Sequence, residues 1–149
     1  MNQNFENIRE IAQQVAERNN LFLIDLIVRG TESSRVIEVF IDGEINISAD
    51  ECALVSKEIT KQIDEQELLK SYRLDVSSPG VDRPLIYLKQ YPKHLNRLFE
   101  IEFNASGSSS TFKGKLISIE DEVLTFQSNK EIKIKFPDII KAKVLVSFN

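Results

Sequence analysis

The chain has 149 residues, 42% of them hydrophobic and 28% charged, a composition that supports one sizeable core or two small ones and argues against disorder. No window approaches the roughly 18 consecutive apolar residues of a membrane span, and the polar, acid-bearing N-terminus is unlike a signal or transit peptide, so a soluble cytoplasmic protein is expected. One cysteine, Cys52, and one histidine, His94, leave no internal disulfide and no soft-ligand metal cluster, and neither a metal nor a cofactor is expected.

The net charge of −4 argues against a free-standing nucleic-acid binder, but it is unevenly spread. Residues 1–82 hold 16 acids and 8 bases, whereas residues 83–149 hold 7 acids and 11 bases. An acidic half suits a basic protein, and a basic half suits phosphate.

In chain order, residues 5–18 place Phe5, Ile8, Ala12, Val15 and Ala16 on one stripe, which predicts an amphipathic helix stopped by Asn19-Asn20. The nearly continuous apolar run at 21–28 predicts a central strand. A turn at 30–34 leads to its hairpin partner at 36–42, with Ile37, Val39 and Ile41 on one face. Ser48-Ala49-Asp50-Glu51 matches a capping box. The following helix carries Cys52, Val55, Ile59 and Ile63 at three- and four-residue spacing, so Cys52 reads as core-facing and not as a reactive thiol. Tyr72, Leu74 and Val76 alternate with Arg73, Asp75 and Ser77, predicting a half-buried strand that ends at Ser77. Helix, strand, strand, helix, strand makes a small two-layer α/β domain.

That strand runs into Ser77-Ser78-Pro79-Gly80-Val81-Asp82-Arg83-Pro84-Leu85. Pro79 presets φ for the second turn position and Gly80 accepts the positive φ of the third, predicting a type II turn at 78–81. Pro84 is placed to open a helical turn through about Tyr87. Ser78, Gly80, Asp82 and Arg83 are therefore candidate contacts at a restricted corner, with Arg83 facing a phosphate or an acidic partner and Asp82 orienting it. A geometric role in joining two domains carries equal weight.

Five short alternating segments follow in under sixty residues and predict a small closed barrel. Residues 106–110 read as a flexible hairpin loop, and Pro137-Asp138 as a tight turn before the last strand. Lys133, Lys135, Lys141 and Lys143 alternate with apolar residues on two successive strands, joined by Lys113 and Lys115. As single residues they are solubilising; as a group they suit contact with a nucleic-acid backbone. Ser77, Ser78, Asp82 and His94 include the residue types of a hydrolytic triad but lack any motif context, so no catalytic residues are assigned.

The run at 77–85 closely resembles the Ser-Ser-Pro-Gly-Leu-Asp-Arg-Pro-Leu segment of the bacterial ribosome maturation factor RimP family, with Val81 in place of Leu. Asp50-Glu51-Cys52-Ala53-Leu54-Val55-Ser56, Phe112-Lys113-Gly114-Lys115-Leu116 and Asp138-Ile139-Ile140-Lys141-Ala142 are similar to further motifs of that family, so the resemblance spans essentially the whole chain. Asn96 departs from it, standing where the family usually has Gly; Asn also tolerates left-handed geometry. The resemblance implies an α+β protein: a KH/ferredoxin-like N-terminal two-layer domain at 1–84, a linker turn at 85–92 and an SH3-like (Sm-type) barrel at 93–149. It implies a monomeric, non-enzymatic factor for maturation of the small (30S) subunit. The implied partners are the immature small ribosomal subunit, the decoding-centre ribosomal protein S-twelve and ribosomal RNA. The chain has no Gly-x-x-Gly to clamp nucleotides, so the KH-like half is expected to bind protein. A general RNA-binding regulator with KH-like and Sm-like domains is the alternative.

Overall fold

The computed structural model describes residues 3–80 and 83–146. The chain divides into two compact units, Met1–Pro79 and Gly80–Asn149.

The first unit opens with α1 (Gln3–Arg18), whose Ile8, Ile11, Ala12, Val15 and Ala16 are buried. Asn20 takes φ 61° just past its end. The Asn20 amide then donates to the Glu17 carbonyl and the Leu21 amide to that of Ala16, a Schellman closure in which asparagine replaces the usual glycine. Strands β1 (Phe22–Thr31) and β2 (Ser34–Asp42) form an antiparallel hairpin, and β3 (Tyr72–Ser77) pairs with β2 in parallel. The parallel pairing requires a crossover, which α2 (Ala49–Glu65) supplies. Its capping box is intact: the Glu51 amide donates to Ser48 Oγ at 3.1 Å and the Ser48 amide to Glu51 Oε1 at 3.0 Å. Both helices share one core with the sheet, in which Ile37, Val39, Ile41, Val55, Ile59 and Ile63 are fully buried.

The strand order is β1-β2-β3, so the run at 21–28 forms an edge and not the expected centre; β2 is central. The run resembles a central strand because of a bulge between Leu23 and Asp25. The extra residue resets the alternation, so Leu23, Leu26 and Val28 all reach the core and the run looks uninterrupted in sequence.

In the second unit, β4 (Leu98–Ala105), β5 (Ser108–Glu120), β6 (Val123–Gln127), β7 (Glu131–Lys135) and β8 (Ile139–Val144) form one sheet in the order β7-β6-β5-β4-β8. The expected closed barrel is not formed, because no ladder joins β7 to β8. Five strands laid flat would put those edges about 19 Å apart. Yet one three-residue 3-10 turn, Phe136–Asp138, connects them, and at about 2 Å rise per residue it spans only some 6 Å. The sheet must therefore curl until its edges approach, leaving a seam in place of a hydrogen-bonded closure. Phe99, Ile101, Leu116, Leu124 and Phe126 fill the inside of the curl. Phe99 meets Phe126 edge-on at 5.6 Å and stacks on Tyr91 at 5.8 Å.

Two turn expectations are corrected. The β4–β5 hairpin closes on two residues, Ser106 (φ 53°) and Gly107 (φ 86°), and residues 108–110 already belong to β5. Positive φ at both positions is the type I′ geometry whose twist matches the flanking strands. Pro84 opens no helical turn: residues 84–86 belong to no helix or strand, and the Leu85 amide donates to the Ala142 carbonyl of β8. Helical geometry begins only with the 3-10 turns Leu88–Gln90 and Pro92–His94. Asn96 adopts φ 70°, the left-handed geometry expected of it.

Candidate functional site

The corner at 78–84 is laid down by its backbone. Strand β3 ends at Ser77, Ser78 is exposed, and Gly80 takes φ +71° with open space where a Cβ would stand. That φ is the one a type II turn demands at its third position, and it makes glycine a conformational requirement there, not a packing one. Val81 and Asp82 lie outside the described residues, so the Asp82 contact and the turn's last residue do too. Arg83 is half-buried and already engaged by a neighbouring group.

Beyond Arg83 the chain is held by Gln90, a side chain with no exposed surface. Its Oε1 accepts from the Ile86 amide at 2.7 Å and from the Tyr87 amide at 2.9 Å. One buried amide thereby satisfies two backbone donors that no strand or helix claims. Tyr91, equally buried, lies beside a shallow cavity bordered by Pro84, Leu85, Ile86, Phe136 and Ile139. Burial pushes its phenol well above the ordinary tyrosine range.

The lysines divide into two sets. Across β5, β4 and β8, Lys113 and Lys143 both face Glu100, and Lys141 faces Glu102, while Lys115 stands opposite Leu98. Lys113 and Glu100 approach to 3.8 Å with both side chains well exposed, a pair worth little on its own. Lys133 and Lys135 sit on β7 at the other end of the ladder, facing Thr125 and Val123 of β6. In ladder order Lys133 and Lys135 lie on one edge strand and Lys141 and Lys143 on the other. The interleaved Glu100 and Glu102 were visible as alternation in β4, but only the register shows that they divide the lysine field. His94 packs edge-on against Phe99 at 6.2 Å. Cys52 is half-buried against the first unit's core; burial, then the Glu51 carboxylate, raises its thiol pKa.

Chemically, the described groups offer outward-facing cations for contact with other molecules. Fold and site together define a two-unit α+β protein, most of whose described candidate residues are exposed. Residues 11–82 match the RimP N-terminal domain family. Over 155 aligned residues the chain is 30% identical to the ribosome maturation factor RimP of Cytophaga hutchinsonii, with 93% of each chain covered. The chain belongs to the RimP family of ribosome maturation factors. Among the described residues, no helix is long and apolar enough to cross a membrane.

Proposed function

We propose that the protein is a non-enzymatic, cytoplasmic assembly factor that acts as a monomer on the immature small (30S) ribosomal subunit. The observation that carries this reading is the likeness to a ribosome maturation factor along 93% of both chains. Charge gives it a mechanism: the acidic first half suits a basic protein and the lysines of the second half suit ribosomal RNA backbone, while the family resemblance implicates the second domain in the contact with ribosomal protein S-twelve. In this reading the first unit is the family's KH-like domain, and the curled five-stranded sheet, which residues 85–92 lead into, is its SH3-like (Sm-type) domain. Binding protein and RNA together favours one conformation of the maturing subunit over its alternatives. Ser78, Gly80 and Arg83 at the corner, with Asp82, set how the chain leaves β3 toward the second set of contacts.

Affinity purification followed by gradient sedimentation tests the proposal. Tagged protein should travel with free small subunits and not with assembled ribosomes; co-purification mainly with messenger RNA would favour a general RNA-binding regulator. Arg83→Ala should weaken subunit binding and leave thermal stability nearly intact, whereas a large stability loss would show the corner to be structural.

A further inference from the structure

The cavity beside Tyr91 has a volume of about 470 Å³ and lies wholly within the second unit. Its walls are mainly apolar, drawn from Pro84, Leu85 and Ile86 and from Phe136, Ile139 and Ile140. Ile86 and Ile140 are each 49% exposed, so apolar surface stays in contact with water there. The size is that of a small-molecule site.

Tyr91 borders this cavity with a side chain that has no exposed surface. Its ring is wedged in place, stacked on Phe99 at 5.8 Å and edge-on to Phe136 at 6.0 Å, so it cannot swing its oxygen out to bulk water. That oxygen, Oη, is shielded as well and has no hydrogen-bond partner among the described residues. A buried hydroxyl without a partner costs stability, and it calls for an acceptor that the fold does not supply. The preceding residue shows the contrast, since Gln90 is equally buried but accepts from two backbone amides. Along the 84–86 wall no N–H is left for a ligand: Pro84 has none, the Leu85 amide donates to the Ala142 carbonyl and the Ile86 amide to Gln90. The Tyr91 hydroxyl is the donor that this side of the cavity can offer. Burial holds the phenol in its protonated form, so it donates throughout the range in which the protein is folded.

The charge at the cavity is balanced. Glu102 and Lys141, the charged residues that border it, face each other across the β4–β8 ladder. A net charge on the occupant would be attracted by one and repelled by the other, and it would lose hydration against apolar walls. These features select a neutral occupant. We propose that the cavity binds a small neutral molecule with an apolar body and a carbonyl acceptor. The carbonyl oxygen accepts from Tyr91 Oη, and the body covers Ile86 and Ile140. The inference goes beyond the ribosomal role above and does not rest on it.

The test uses the full chain and two probes of matched shape, acetophenone and α-methylstyrene, of which only the first carries an oxygen. In residue-resolved NMR titrations acetophenone should shift the signals of Leu85, Ile86, Phe136 and Ile140. It should bind about three- to tenfold more tightly than α-methylstyrene, the ratio expected of a single neutral hydrogen bond. Benzoate, which has the same ring and a charged acceptor, should bind more weakly than acetophenone. Tyr91→Phe keeps the ring and removes the oxygen, so the two neutral probes should become equal in affinity. Its melting temperature should stay level or rise, because an unpartnered buried hydroxyl has gone. Absence of acetophenone binding, shifts away from the cavity, tighter binding of benzoate, an unchanged probe preference in Tyr91→Phe, or a lower melting temperature of that variant would each overturn the proposal. Sedimentation of the unmodified protein with small subunits is read separately, so the two readings can fail independently.

Discussion

Replacing Gln90 by methionine isolates the device that fixes the chain beyond Arg83. Methionine is close to glutamine in length and volume, so packing around the site changes little. What disappears is the oxygen that accepts from the Ile86 and Tyr87 amides at 2.7 and 2.9 Å. A buried backbone donor left without a partner costs about 1–3 kcal/mol. Ile86 and Tyr87 are 49% and 43% exposed, so water can reach part of this backbone, and the lower end of the range applies to each. The expected loss is therefore about 2 kcal/mol for the pair. Urea unfolding gives the total, and residue-resolved amide exchange gives the location: the amides of Ile86 and Tyr87 should lose protection first. A loss below about 0.5 kcal/mol, or full protection of both amides in the variant, would refute the role assigned to Gln90.

Ser48→Ala should cost about 1 kcal/mol by removing one half of the α2 capping box, read as a lower midpoint in denaturant, with Ser48→Asp restoring most of it. Gly114→Ala should destabilise by about 1–3 kcal/mol through overpacking, since a Cβ there meets Phe112 Cε2 at 2.5 Å and the Gln127 carbonyl oxygen at 3.1 Å. Trimming Phe112 to leucine in the same chain should recover part of that loss. The Tyr72 phenol is raised from 10.0 to about 12, first by burial and then by its 2.8 Å hydrogen bond to Asp64. Because the folded state favours the neutral phenol, this stabilisation is complete below pH 10 and is lost as pH rises toward 12. Alkaline denaturation should show a constant stability difference between the parent and Tyr72→Phe below pH 10, which shifts in the variant's favour as pH rises toward 12.

Local chemistry was the readily legible part. The Ser48 capping box, the end of β3 at Ser77, the positive φ of Gly80 and the left-handed Asn96 each depend on a few neighbouring residues, and each stands where the residues place it. What could not be read depends on partners distant in sequence. The bulge at β1 hides an edge inside an apolar run, because an extra residue restores the core-facing phase that strict alternation would break. Gln90 gave no signal, since a lone glutamine in a polar stretch looks solvated until two backbone amides are found pointing at it. The lysines were correctly read as alternating outward, yet which carboxylates divide them is a matter of register, and register is a property of the assembled sheet.

The bond from the Leu85 amide to the Ala142 carbonyl places the entry and exit of the second unit side by side. A module whose two ends are neighbours can be circularly permuted without pulling on its interior. Such a layout leaves the strand order and the aromatic core of the five-stranded sheet independent of which loop carries the chain ends.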